Sequence, residues 1–143
     1  MSLVEQFPYR DRTPSTPGLD LMPDLPILLR SPPHVLSGPA LVDSGATISV
    51  LPHSLGLQLG LDWNSQKLQL RLTGVLAQVQ ARGIAVEAIV GQLPAVRLVL
   101  AWAALDQVPF VLGQFNFFQA FDISFFRSRG LFEIRPASTS GSP

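Results

Sequence analysis

The sequence predicts an all-β domain with one or two short helices, and three observations predict it. Apolar residues make up 47% of the 143 residues and charged ones only 14%, which excludes a disordered chain and calls for extensive burial. The apolar residues fall in short runs separated by turn formers, too short for long amphipathic helices. Leu68-Gln69-Leu70-Arg71-Leu72 alternates with a period of two, as a strand with one wet face does. The length suits one domain.

The elements follow in order. Pro8, Pro14, Pro17 and Pro23 each remove a backbone donor, so residues 1–23 are expected to form an extended proline-rich N-terminal arm. Strands are expected at Ile27–Leu29, Ala40–Val42, Leu68–Leu72, Val75–Val79, Ile84–Val90, Val96–Ala103, Val108–Leu112, Phe121–Phe125 and Leu131–Ile134. Ser31-Pro32-Pro33-His34 and Ser128-Arg129-Gly130 have the composition of reversals. Short helices are expected over His53–Leu61, behind Pro52, and Gln114–Ala120, behind Gly113. From Pro136 onward almost nothing apolar remains, so 136–143 reads as a flexible tail and 24–135 as the folded unit.

Several functions are excluded by composition. Ten basic residues balance ten acidic ones without a dense cluster, which argues against nucleic acid and anionic membrane as partners. The absence of cysteine removes disulfides, a thiol nucleophile and zinc–thiolate sites. The stretch Val96 to Leu105, broken by Arg97, is about half of the ~20 residues of a membrane-spanning helix and reads as a buried strand. Glu5 and the early prolines stand where a secretory signal has basic and apolar runs, so a cytoplasmic setting is expected. His34 and His53 lack the neighbours of a triad or metal site and read as surface or capping residues, and Trp63 and Trp102 as packing. Glu87 reads as the wet face of a strand. The cluster Phe110, Phe115, Phe117, Phe118, Phe121, Phe125 and Phe126 exceeds what one small core easily buries, so part of it is expected to cover a protein contact.

The chemistry-bearing segment is Ala40-Leu41-Val42-Asp43-Ser44-Gly45-Ala46-Thr47, an acid placed directly behind an apolar strand. Burying a lone charge costs several kcal/mol, so Asp43 needs hydrogen bonds, a cleft, or a group with which to share a proton. The Ser44 hydroxyl can lock neighbouring backbone, and Gly45 permits a tight turn. Alone, Asp-Ser-Gly also reads as an ordinary turn.

Two stretches together resemble a family, the retropepsins, dimeric aspartic proteases of retroviral type. Ala-Leu-Val-Asp-Ser-Gly-Ala-Thr, followed by the apolar Ile48–Leu51, is similar to its catalytic signature, and Val108-Pro109-Phe110-Val111-Leu112-Gly113 to its second signature, which precedes a short helix. Ile84–Gly91 and Val96–Leu100 resemble the strand pair between them. The resemblance implies a small closed β-barrel, Asp43 as the catalytic residue, Ser44, Gly45 and Ala46 as its loop, Thr73, Gly74 and Val75 in a flap, and Leu112 and Gly113 as the second signature. It implies no cofactor and no metal. Only Gly74 represents the family's glycine-rich flap tip, and Thr47 and Gln114 stand where many relatives carry an acid–arginine pair.

Aspartic proteolysis needs two carboxylates close enough to share a proton. This chain has one such motif, without internal repeat, and Asp122 in Phe-Asp-Ile-Ser lacks the glycine. The resemblance therefore implies a homodimer in which a twofold axis pairs Asp43 with its mate, and a peptide or protein substrate. The rival reading is an inactive module of the same fold that binds a peptide or dimerises.

Overall fold

Strands form where the sequence runs apolar or alternates between turn residues, as the computed structural model, which describes residues 3–138, records. In chain order they are β1 Glu5–Pro8, β2 Arg10–Asp11, β3 Leu21–Met22, β4 Asp24–Leu25, β5 Leu28–Ser31, β6 His34–Ser37 and β7 Ala40–Val42. The second half adds β8 Val50–Leu51, β9 Gln69–Arg71, β10 Gln80–Ile89, β11 Val96–Ala103, β12 Val111–Leu112, β13 Phe121–Phe126 and β14 Leu131–Pro136. Two short α-helices, α1 His53–Gln58 and α2 Phe117–Ala120, complete the fold with 3-10 turns at Trp63–Ser65, Gly74–Leu76 and Arg127–Arg129. The all-β class with short helices is therefore as expected.

The main sheet has the order β4-β7-β12-β8-β11-β10-β5-β6, with β9 also on β10. Its spine is the antiparallel pair β10/β11, in register from Ala81 opposite Ala103 to Ala88 opposite Val96. The sheet curls into a half-barrel, and Gly38 N–H, donating to the Ile27 carbonyl at 2.7 Å, extends the β5/β6 pairing by one step. Curling puts Leu25, Ile27, Leu29, Leu98, Leu100 and Trp102, all fully buried, on the inner face. A second sheet, β1-β14-β13, covers the open side and contributes Phe132 and Ile134 to the same core. A smaller core of Val50, Leu72, Ala81, Ala101, Ala103, Val108 and Val111 lies apart from it.

The N-terminal segment departs from the extended arm. β1 pairs with β14 from Glu5 opposite Ile134 to Pro8 opposite Leu131, and β2 pairs with β3 as a small hairpin. The prolines permit this because Pro8 ends its strand and Pro14 and Pro17 fall in the hairpin loop, where no ladder donor is needed. Arg12 then ties the hairpin to β4 through both oxygens of the buried Asp24. At the other end Pro136 still pairs with Phe121, and Ala137 N–H donates to the Ala120 carbonyl at 3.0 Å. Residues 1–2 of the expected arm and 139–143 of the expected tail lie outside the described residues.

Other differences are local. β6, which the sequence hid because only Leu36 of its four residues is buried, forms because the Ser31–His34 reversal folds 34–37 back along β5. Val75–Val79 is not a strand: Leu76, Ala77 and Val79 N–H groups bond back to Thr73, Gly74 and Leu76 carbonyls, winding the segment into successive turns. α1 stops at Gln58 because Gly60, at φ +72°, ends it with Leu61 N–H on the Gly56 carbonyl. Among the described residues no helix is long and apolar enough to cross a membrane.

Candidate active site

Strand β7 delivers Asp43 to the end of the sheet, and the second signature holds it there. β12 is inserted between β7 and β8, parallel to the first and antiparallel to the second, so Val111 and Leu112 run beside Leu41 and Val42. Asp43 N–H donates to the Leu112 carbonyl at 3.0 Å, and Ala46 N–H closes the turn on the Asp43 carbonyl at 3.1 Å. Gly45 N–H donates to Asp43 Oδ1 at 2.9 Å, orienting the carboxylate.

The segment after β12 grips the same turn. Gln114 and Phe115 N–H groups donate to the Ala46 and Thr47 carbonyls at 2.8 and 2.9 Å, which keeps these residues extended and delays α2 to Phe117. Gly113 N–H donates to the buried Ser49 Oγ at 3.0 Å. A Cβ on Gly113 would lie 2.8 Å from Ala46 O, Ile48 C and Ile48 O, so only glycine allows the two segments to approach this closely.

Sequence reasoning missed Ser49, although a hydroxyl inside the apolar run Ile48–Leu51 was a signal. It also expected the Ser44 hydroxyl to lock the backbone. The Ser44 side chain faces solvent, and its carbonyl is tied instead, by Gln114 Nε2 at 2.8 Å.

Asp43 is half-buried and, among the described residues, no basic side chain forms an ion pair with it. It opens into a cleft of about 330 Å³ walled by Ala46, Ile48, Val50, Pro109 and Val111 and roofed by Leu72–Leu76. Asp43 is the single ionisable residue of that lining, to which the smaller core contributes Val50, Leu72 and Val111. Thr73, Gly74 and Val75, expected in a flap, thus face the same cleft as Asp43, and Val75 is fully exposed. The carboxylate thus stands at the mouth of an apolar cleft with one fixed N–H donor and no cation beside it.

A larger groove of about 460 Å³, beside Phe7, Tyr9, Pro26 and Pro39, offers no comparable acid because Arg12 occupies both oxygens of Asp24 there. The remaining candidates are structural. His53 is half-buried, contrary to a surface role, stacked on Trp102 at 5.3 Å with Nδ1 3.1 Å from the Ala103 carbonyl. Trp102 is fully buried with Nε1 donating to the His53 carbonyl, and Glu87 pairs across the sheet with Arg30. The Phe cluster divides: Phe117 and Phe121 are core, whereas Phe115 and Phe125 are 50% and 40% exposed.

No protein-family model matches the chain, and a search of curated proteins returns no significant match. Among solved structures, a retropepsin-like aspartic protease from Rickettsia conorii is similar over 97% of each chain, with a TM-score of 0.63 and 15% identity. At that identity the likeness is one of architecture, and the chain has the retropepsin-like fold.

Proposed function

We propose that the chain is an aspartic endopeptidase whose active site is completed by a second copy of itself. The observation that carries this reading is the setting of Asp43: a carboxylate held by Gly45 N–H, free of any cation, at the mouth of a cleft with no other ionisable wall. One such acid is half of the chemistry. A twofold axis beside the Asp43 turn brings its mate within proton-sharing distance, and the exposed Phe115, adjoining that turn, supplies apolar surface for the contact.

In the dimer the ionised Asp43 takes a proton from a water as its oxygen bonds to the scissile carbonyl carbon, while the protonated Asp43 of the other copy donates to the carbonyl oxygen. Collapse of the tetrahedral diol breaks the C–N bond: the amine leaves with the proton of one acid while the other, ionised acid takes the proton of a diol hydroxyl, and the pair is again singly protonated. The cleft accepts an extended peptide beneath residues 72–76.

Purified chain incubated with a peptide library across acidic to neutral pH, with and without a general aspartic-protease inhibitor, tests the activity. Inhibitor-sensitive cleavage that Asp43→Asn abolishes is the expected result; unchanged proteolysis by Asp43→Asn removes the assignment. Mixing wild-type with Asp43→Asn chains under proven subunit exchange should lower activity as the square of the wild-type fraction, and a linear decline refutes the shared site. A folded, peptide-binding but inert wild-type protein decides for the non-catalytic module.

A further inference from the structure

We propose that Gln114 is a positioning residue that orients the Asp43 carboxylate through a single peptide plane. The Ser44 carbonyl and the Gly45 N–H belong to the same planar peptide group and point to opposite sides of it. The carbonyl accepts from Gln114 Nε2 at 2.8 Å, and the N–H donates to Asp43 Oδ1 at 2.9 Å. The plane is therefore pinned at one end by Gln114 and holds the carboxylate with the other. A hydrogen bond accepted at the carbonyl also polarises the amide and makes its N–H the better donor.

Without Gln114 the plane has little else to fix it. A Cβ at Gly45 would meet only Asp43 Oδ1, at 3.2 Å, so the space beside Gly45 is open, and the bond that closes the turn, Ala46 N–H on the Asp43 carbonyl at 3.1 Å, flanks this peptide without holding its own carbonyl or N–H. Its orientation would then depend on the carboxylate that it is supposed to orient. Gln114 can serve as the anchor because its own backbone is fixed, its N–H on the Ala46 carbonyl at 2.8 Å and the preceding Gly113 N–H on Ser49 Oγ at 3.0 Å. Being neutral, the amide supplies this tether without placing a cation beside a site that must share one proton between two acids.

The inference rests on the protease reading for its kinetic consequence but not for its structural one, and the test separates them. Gln114→Met keeps the length and removes the donor, Gln114→Glu keeps polarity and removes it, and Gln114→Lys retains a donor. In the full-length chain, the Gly45 amide, followed by ¹⁵N NMR, is expected to shift upfield and exchange about tenfold faster in the Met and Glu variants, and to recover in the Lys variant. On peptide substrate, kcat of Gln114→Met is expected to fall about tenfold with KM within about twofold, because binding contacts are untouched. A Gly45 amide unchanged in both the Met and Glu variants overturns the tether, whether or not the chain cleaves peptides. A perturbed Gly45 amide with unchanged kcat in an active enzyme overturns the positioning role. If wild-type chain cleaves nothing, the protease reading falls and the Gly45 amide alone decides the tether.

Discussion

Gly113→Ala tests the close approach on which the site is built. The added Cβ would lie 2.8 Å from three backbone atoms, Ala46 O, Ile48 C and Ile48 O, where 3.4 Å is ordinary contact. Backbone cannot rotate away as a flexible side chain does, so the Ala46–Ile48 segment or the Gly113 strand must move by about 0.6 Å. Overpacking of this kind costs about 1–3 kcal/mol. The movement also lengthens the Gln114 N–H bond to Ala46 and the Gly113 N–H bond to Ser49, now 2.8 and 3.0 Å, and each weakened bond adds up to about 1 kcal/mol. The expected loss is about 2–4 kcal/mol, which at typical urea slopes lowers the unfolding midpoint by about 1–2 M. Because a misplacement of about 1 Å can cost a hundredfold in rate, the proposed peptidase activity should fall at least about tenfold. Urea unfolding followed by Trp fluorescence measures the first effect and peptide cleavage the second. A variant with the wild-type midpoint and rate would refute the argument that glycine is required for contact between the two segments.

Three further outcomes are expected. Arg12→Ala leaves the 2%-exposed Asp24 side chain with only Arg10, 3.6 Å away, and should cost about 2–3 kcal/mol after allowing for the partial exposure of Arg12; an unchanged urea midpoint would contradict this. Asp106 accepts Ser54 N–H at the start of α1, and that bond holds its carboxyl below the usual carboxylate range. A depressed folded pKa contributes stability above the unfolded pKa and loses it as pH falls through the folded one, so Asp106→Ala should lower Tm at pH 7 and match wild type progressively below about pH 4. Equal differences at both pH values would remove that reading. Gly74, at φ +64° with open space around it, should tolerate the bulk but not the backbone of Gly74→Val; a strain of about 1–2 kcal/mol in the cleft roof should lower Tm by several degrees and raise KM several-fold. Unchanged KM would show that this turn does not contact substrate.

The sequence by itself determined most of the local structure and the identity of the acid. Ala40–Val42 and Val96–Ala103 are strands with the bounds their apolar runs suggest, and both expected helices occur, because alternation and turn residues act within a few positions of chain. Asp43 stood out for the same reason: a charge behind an apolar strand is costly wherever the strand goes. Tertiary structure decided what lies beside what. Nothing in residues 5–8 announces a partner more than a hundred residues away, yet β1 is held in place by β14, and four prolines failed to prevent it. The roof segment 75–79 has a strand's composition but no neighbour to pair with, so its N–H groups bond locally into turns. Likewise Gln114 reads from sequence as a substituted position, and Ser49 passes unnoticed inside an apolar run. Their roles appeared only when β12 was threaded between β7 and β8, because a hydrogen bond to another segment's backbone depends on where that segment lies and leaves no periodic trace in either.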